Sequence, residues 1–277
     1  MDVGDLTPVE RTTLLTEYAR AADARQARPI LGDPLAAQVV AQLDYDYTIL
    51  GVTPSVRSLV ALRAKMLDER VRAFVAAHPE AVVVDLGAGF NSMVYRVDPP
   101  VTVDWYSVDL PGVVALRSQV LPPRNGAHTV AASVAEPGWC DAIPAHRPTM
   151  VVADGLFAFL TEPVIVALLR RTTAHFASGM VAFNDYGRVG RLNRIAGQLA
   201  MRGSNSPHRQ WDFAGFKDAR HPQQWNPDLR LVEEASAMFE PEAALFPRGL
   251  RTASRLAKRV PAIARKARIL SYRFQRR

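Results

Sequence analysis

Apolar residues follow two textures along this chain. Up to about residue 77 they recur at helical spacing; from residue 81 they gather in short runs bounded by acids, glycines and prolines. In the first texture, Thr7 as N-cap and Pro8 at the first helical position predict a helix over residues 8–27. Asp33-Pro34 starts a second helix, ending near Leu43. Pro54-Ser55 opens a long third one to about Ala77, whose apolar face includes Val56, Leu59, Leu62, Met66, Val71 and Phe74. The second texture predicts strands at 81–86, 103–108, 127–132, 149–153 and 179–184. Helices near 91–97, 111–121, 136–143 and 162–177 alternate with them, the last starting from Thr161 as cap with Pro163 in its first turn. Such alternation is the signature of a doubly wound parallel sheet. Residues 187–200 read as a further helix, and Gly203-Ser204-Asn205-Ser206-Pro207 opens a polar, aromatic-containing stretch through Pro227. Segments 229–235 and 269–274 are two more strands, separated by helices around 242–266. No linker justifies a domain boundary, so residues 1–277 read as one domain.

The run Ala81-Val-Val-Val-Asp-Leu-Gly-Ala-Gly89 is an apolar strand that breaks at an acid and enters a glycine turn. Glycines at 87 and 89, without Cβ atoms, would let a cofactor approach the backbone. Asp109 ends the next strand, Trp105-Tyr106-Ser107-Val108, twenty residues past Gly89. A carboxylate there can accept both hydroxyl protons of a ribose. Together these features point to a cofactor containing adenosine. A dinucleotide fold would want a third glycine where this chain has Ser92, which disfavours NAD. The Asp-x-Gly-x-Gly pattern instead resembles motif I of class I S-adenosylmethionine (SAM)-dependent methyltransferases.

Ligands of open parallel sheets bind at the carboxyl ends of the strands. The residues there are 85–89, Asp109-Leu110, Ser133-Val134, Asp154-Gly155 and Asn184-Asp185-Tyr186. Acids in four of these five sets suit the cationic and hydroxyl-bearing edges of SAM. Asp109 would serve its ribose, Asp154 would lie near its amino-acid end, and Ser133 would meet the adenine edge.

Longer stretches then match a family in order. Residues 83–97, Val-Val-Asp-Leu-Gly-Ala-Gly-Phe-Asn-Ser-Met-Val-Tyr-Arg-Val, resemble the glycine-loop segment of the leucine carboxyl methyltransferase-like family. More particularly, they are similar to bacterial polyketide O-methyltransferases of the tetracenomycin type. Tyr106-Ser107-Val108-Asp109-Leu110-Pro111, the stretch Arg147 to Leu156, Phe159-Leu160-Thr161 and Trp225 to Val232 follow, while Tyr18-Ala19-Arg20-Ala21, Ile30 to Ala36 and Leu62 to Asp68 match upstream. The resemblance covers roughly residues 14–274. It implies a class I methyltransferase fold: a Rossmann-like, mostly parallel seven-stranded sheet with helices on both faces. A helical cap (1–78) would precede the core (79–277), and an insertion at about 187–227 would cover the substrate. It also implies SAM as cofactor and methyl transfer to a hydroxyl or carboxyl of a small molecule, a polyketide-type product of secondary metabolism. Arg63 would hold the methionyl carboxylate with help from Arg20, since a guanidinium fork suits a carboxylate. Gly87, Ala88, Gly89, Asp109, Leu110, Ser133, Val134 and Asp154 would make the remaining cofactor contacts. The family commonly has aspartate at positions 91 and 133, where this chain has Asn91 and Ser133. Those departures keep open a second reading, a non-catalytic or regulatory SAM-binding protein.

Tyr186 and Trp211 are the candidate acceptor contacts, with Phe157, Phe159, Phe213 and Phe216 as further stacking surface for an apolar or aromatic molecule. No residue is assigned as a catalytic base, although His208 and His221 sit in the covering stretch; methyl transfer can rest largely on positioning. The six histidines lack metal-ligand spacing, and Cys140 stands alone, so neither a metal nor a disulfide is expected. Composition is that of a globular protein, 48% apolar and 22% charged. The +7 net charge is local. Of 34 basic residues eleven follow Glu242 with no acid among them, and the other 23 face 27 acids. That basic end reads as a solvated helix face plus a basic edge strand, not as a nucleic-acid surface. Asp154-Gly155 at the fourth strand also lacks the Asn/Asp-Pro-Pro-aromatic pattern of enzymes that methylate nucleic-acid amino groups. An acidic start without a signal-like apolar stretch, and no run of 18 apolar residues, predict a cytoplasmic protein with neither membrane nor nucleic acid as partner.

Overall fold

The computed structural model describes residues 1–4, 6–187 and 211–276. The helix read at 187–200 (apart from Gly187 itself), His208 and the first part of the polar stretch, residues 203–210, lie outside the described residues. Three helices come first: α1 (Thr12–Ala24), α2 (Pro34–Gln42) and α3 (Pro54–Ala77). Strands β1 (Val82–Leu86), β2 (Asp104–Asp109), β3 (Ala127–Ala131), β4 (Thr149–Ala153) and β5 (Ser178–Asp185) follow, with α4 (Met93–Val97), α5 (Pro111–Val120) and α6 (Glu162–His175) between them. Strands β6 (Arg230–Ser236) and β7 (Arg268–Gln275) close the sheet.

The sheet order is β3-β2-β1-β4-β5-β7-β6, parallel except for β7, which runs antiparallel to both neighbours. Strand order reverses between β1 and β4, so a crevice opens at their carboxyl ends. Every residue of β1 and β4 is buried, as expected where helices cover both faces. Val83, Trp105, Met150 and Ala182 pack on one face with α3; Val84, Val108, Val151 and Phe183 pack on the other with α6.

The helical cap is joined to the sheet by buried charges as well as apolar contact. Asp33 caps α2 through Ala36 N and also accepts from Ser92 Oγ (2.5 Å) and Arg96 Nη1 (2.6 Å). Arg96 then grips Asp68 of α3 with two nitrogens, at 2.8 and 2.9 Å. Glu17 and Arg20 of α1 pair with each other, and Arg20 Nε lies 4.0 Å from Asp33. Four helices are therefore tied through one network in which each charge has a partner, the condition for burying charge at tolerable cost.

Three expectations need correction. Thr7 and Glu10 do form a capping pair, with Thr7 N donating to Glu10 Oε2 (2.8 Å) and Glu10 N to Thr7 Oγ1 (3.3 Å). The turns after it remain irregular, however, and the regular helix starts only at Thr12, with Arg11 as its N-cap residue. The helix read at 136–143 shrinks to a single 3₁₀ turn, Pro137–Cys140, where Pro137 and Gly138 disfavour propagation and buried Trp139 anchors the turn. The basic last strand is not an edge. β7 lies between β5 and β6, and its Arg268 is buried against Asp185 (2.8 Å) and Glu234.

This placement makes β7 structural. Phe274 is 1% exposed inside the α6-side core while its neighbour Arg273 is exposed. Phe274→Ala should cost about 3–5 kcal/mol of unfolding free energy, and Arg273→Ala less than about 0.5 kcal/mol. Urea melts of the two variants would show equal small losses if β7 were a peripheral tail.

Candidate functional site

A cavity of about 420 Å³ opens at the carboxyl ends of β1, β2, β4 and β5, with α1 and α3 as its other wall. All eleven residues nominated from the sequence line it: Arg63, Gly87, Ala88, Gly89, Asp109, Leu110, Ser133, Val134, Asp154, Tyr186 and Trp211. They arrive from seven separate stretches of chain, and the carboxyl edge of the sheet assembles them. Among the described residues, no group of His, Cys, Asp or Glu could hold a metal ion.

At one end sits the glycine turn. Gly87 and Gly89 have φ of +63° and +52°, backbone that other residues rarely adopt. The neighbours explain the turn differently from the sequence reading. A Cβ on Gly89 would overlap Thr13 Oγ1 of α1, and one on Gly87 would come 2.9 Å from Leu156. The glycines thus let the cap and the loop after β4 close onto the turn. Phe90 N donates to Thr13 Oγ1 (3.2 Å), which pins α1 there. Asp109 steadies the same turn, accepting from Gly89 N (2.6 Å) and Leu110 N (2.7 Å). Burial raises its pKa, and those two N–H bonds oppose the rise. From below, Arg117 Nη1 donates to Gly89 O (2.7 Å) and Asn91 O (2.9 Å).

At the other end two arginines converge on one acid. Arg63 Nε of α3 lies 2.6 Å from Asp154 Oδ1, and Arg20 Nη1 of α1 lies 3.9 Å from Asp154 Oδ2. Arg63 Nη1 donates to the Tyr186 hydroxyl. The net effect of Asp154 and Tyr186 is to hold the Arg63 pKa above its ordinary value against burial. Polar atoms remain unsatisfied nonetheless: Arg63 Nη2, Arg20 Nε and both Asp154 oxygens are buried without a hydrogen bond. Unmet donors beside unmet acceptors in a cavity suit a zwitterion, an ammonium next to a carboxylate.

Ser133 Oγ accepts from Ala135 N (3.3 Å), and Asn91 Oδ1 from Arg96 Nη2 (3.0 Å), so both departures from the family pattern are integrated locally. Of the aromatics read as acceptor surface, Trp211 and Phe159 line the cavity. Phe157, Phe213 and Phe216 pack in the core, Phe157 stacking on Phe183 at 4.2 Å. His221 packs against Trp225, away from the cavity. Sequence reasoning missed Glu10 and Thr13 as lining residues. The Thr7-Pro-Val-Glu10 capping pattern could have flagged the first; nothing local flags the second.

Asp85 is the other residue whose weight emerges only in three dimensions. Both its oxygens are buried without a hydrogen bond. Burial pushes its pKa up to about 7, with the Arg117 charge opposing and the Asp154 charge adding to the rise.

Comparison with known proteins gives four findings. The family model for leucine carboxyl methyltransferase matches residues 13–173. The tetracenomycin polyketide synthesis O-methyltransferase TcmP of Streptomyces glaucescens is 36% identical over 242 residues, 79% of this chain and 90% of that protein. The S-adenosyl-L-methionine-dependent methyltransferase dpfgK of Gibberella zeae is 32% identical over 66% of this chain and 68% of that one. In fold, the chain resembles the plantazolicin methyltransferase BpumL, solved with S-adenosylhomocysteine (SAH) and a triazolic desmethylPZN analogue. That likeness has a TM-score of 0.51 at 10% identity and covers 97% of this chain and 98% of that one.

The state of Asp85 has a pH consequence. An acid whose native pKa lies above its unfolded value keeps its proton in the fold after the unfolded chain has lost it. Stability therefore falls as pH rises from about 4 to about 7, and the penalty is constant above that. Asp85→Asn keeps the shape without the charge. It should be more stable than the parent by about 2–4 kcal/mol at pH 8, with less than half of that gain left at pH 5. A gain independent of pH in urea melts would refute the protonated state.

Proposed function

The chain belongs to the leucine carboxyl methyltransferase family, and on that premise we propose that its cavity binds SAM with the adenosine at the glycine turn and the amino-acid end at Arg63. The protein is a SAM-dependent methyltransferase acting on a small molecule. One observation carries the assignment of the ends. A carboxylate that meets backbone N–H groups lies at one end of the cavity, and buried unmet arginine and aspartate atoms lie at the other.

When bound, SAM supplies a methyl group on a sulfonium, electrophilic without further activation. The chain's own residues do the rest. Asp109 takes the ribose hydroxyls, while Gly87, Ala88, Gly89 and Leu110 form the surface beneath them. Ser133 and Val134 border the adenine, Val134 by apolar contact and Ser133 through its hydroxyl. Arg63, aided by Arg20, holds the carboxylate, and Asp154 holds the ammonium. Asn91 and the other groups of the ion network keep these positions fixed, so alignment of the acceptor needs little further ordering.

The acceptor oxygen, hydroxyl or carboxyl, belongs to an apolar, aromatic molecule of polyketide type. Tyr186, Trp211 and Phe159 support that reading as a flat wall on the cavity, as does the 36% identity to TcmP. Residues 1–78 act as a cap and 79–277 as the catalytic core of one unit. No described helix is long and apolar enough to cross a membrane. The small-molecule reaction is what supports work in the cytoplasm, apart from nucleic acid and lipid.

Calorimetric titration with SAH, SAM and NAD side by side tests the reading. SAH and SAM should bind with micromolar or tighter constants and NAD should give no heat of binding. Binding of NAD without SAH would overturn it.

A further inference from the structure

Resting on the reading of this cavity as a SAM site and deepening it, we propose that Tyr186 is a positioning residue. Its hydroxyl sets the Arg63 guanidinium for the cofactor carboxylate, while its ring forms part of the acceptor wall. An arginine on a long helix has many rotamers, so holding its fork in one orientation requires contacts on more than one side. Arg63 has them. Nε faces Asp154 at 2.6 Å, and Nη1 donates to Tyr186. Nη2 lies over Gly155, whose φ is +82°; a Cβ there would stand 3.0 Å from Nη2. Nη1 is thus hydrogen-bonded, Nε is ion-paired without a hydrogen bond, and Nη2 is buried with neither. Removing the Tyr186 hydroxyl would leave the Asp154 ion pair and the Tyr186 ring, whose centroid lies 5.8 Å from Arg63 Cζ; neither is a directional bond, so the guanidinium plane can turn.

Tyr186 is itself well held. It follows Asp185, which pairs with buried Arg268 and accepts from Phe216 N (3.1 Å). Its ring stacks on Trp211, with centroids 4.7 Å apart and planes 23° from parallel. Both rings line the cavity. One side chain therefore serves both substrates, its hydroxyl on the cofactor side and its ring on the acceptor side.

The test compares SAH with 5′-methylthioadenosine, which keeps adenine, ribose and thioether but lacks the amino-acid end. Both are titrated into the full chain and into Tyr186→Phe, which preserves the ring. The affinity of the variant for SAH should fall about tenfold, the effect of one lost hydrogen bond to a charged group. Its affinity for 5′-methylthioadenosine should stay within about twofold, because that ligand has nothing for Arg63 to hold. Equal losses for both ligands would make Tyr186 merely structural, and no loss for either would show that Arg63 is oriented without it; each overturns the proposal. Failure of the unaltered chain to bind SAH while it binds 5′-methylthioadenosine would instead strike at Arg63 as the carboxylate ligand.

Discussion

Three charged side chains largely withdrawn from water dominate this molecule: Arg20 and Arg63 from the cap and Asp154 just after β4. Bringing two cations and an acid out of water is costly unless they meet one another or a ligand. The contact between cap and sheet is where they meet. That requirement sets the position of α1 and α3 over the carboxyl edge of the sheet, and so the shape of the cavity.

The rest of the cap follows from the same constraint. Arg96 and Asp33 carry the network from the glycine turn to α2, and Asp68 carries it to α3. Thr13 on α1 occupies the space that a side chain at position 89 would need. The glycine turn is therefore gripped from above by the cap and from below by Arg117. A turn held on both sides is preorganised, which spares the bound state the cost of ordering it.

Much of this was legible in the sequence for definite reasons. Buried parallel strands are apolar runs ended by glycine or an acid, which made β1, β4 and β5 legible, and all seven strands could be read to within a residue or so. The strand-end rule then selected residues that prove to line one cavity. What local patterns could not reveal is who stands opposite whom. Thr13 meets Phe90 across 77 positions, and only the folded chain shows that Gly89 makes room for the cap. The antiparallel, inner place of β7 was hidden behind its arginines, because Arg268 draws its partners from β5 and β6. The turn at Pro137 looked helical by periodicity, but Pro137 and Gly138 leave too little chain to propagate a helix.

The central claim is that the cavity holds a nucleoside at the Asp109 end and a zwitterion at the Arg63 end. A crystal structure of the complex with SAH tests it most directly. The account requires the ribose hydroxyls on Asp109 and the carboxylate on Arg63, with Tyr186 still bonded to that guanidinium. A ligand lying in the reverse sense, or Arg63 turned away from it, would contradict the account.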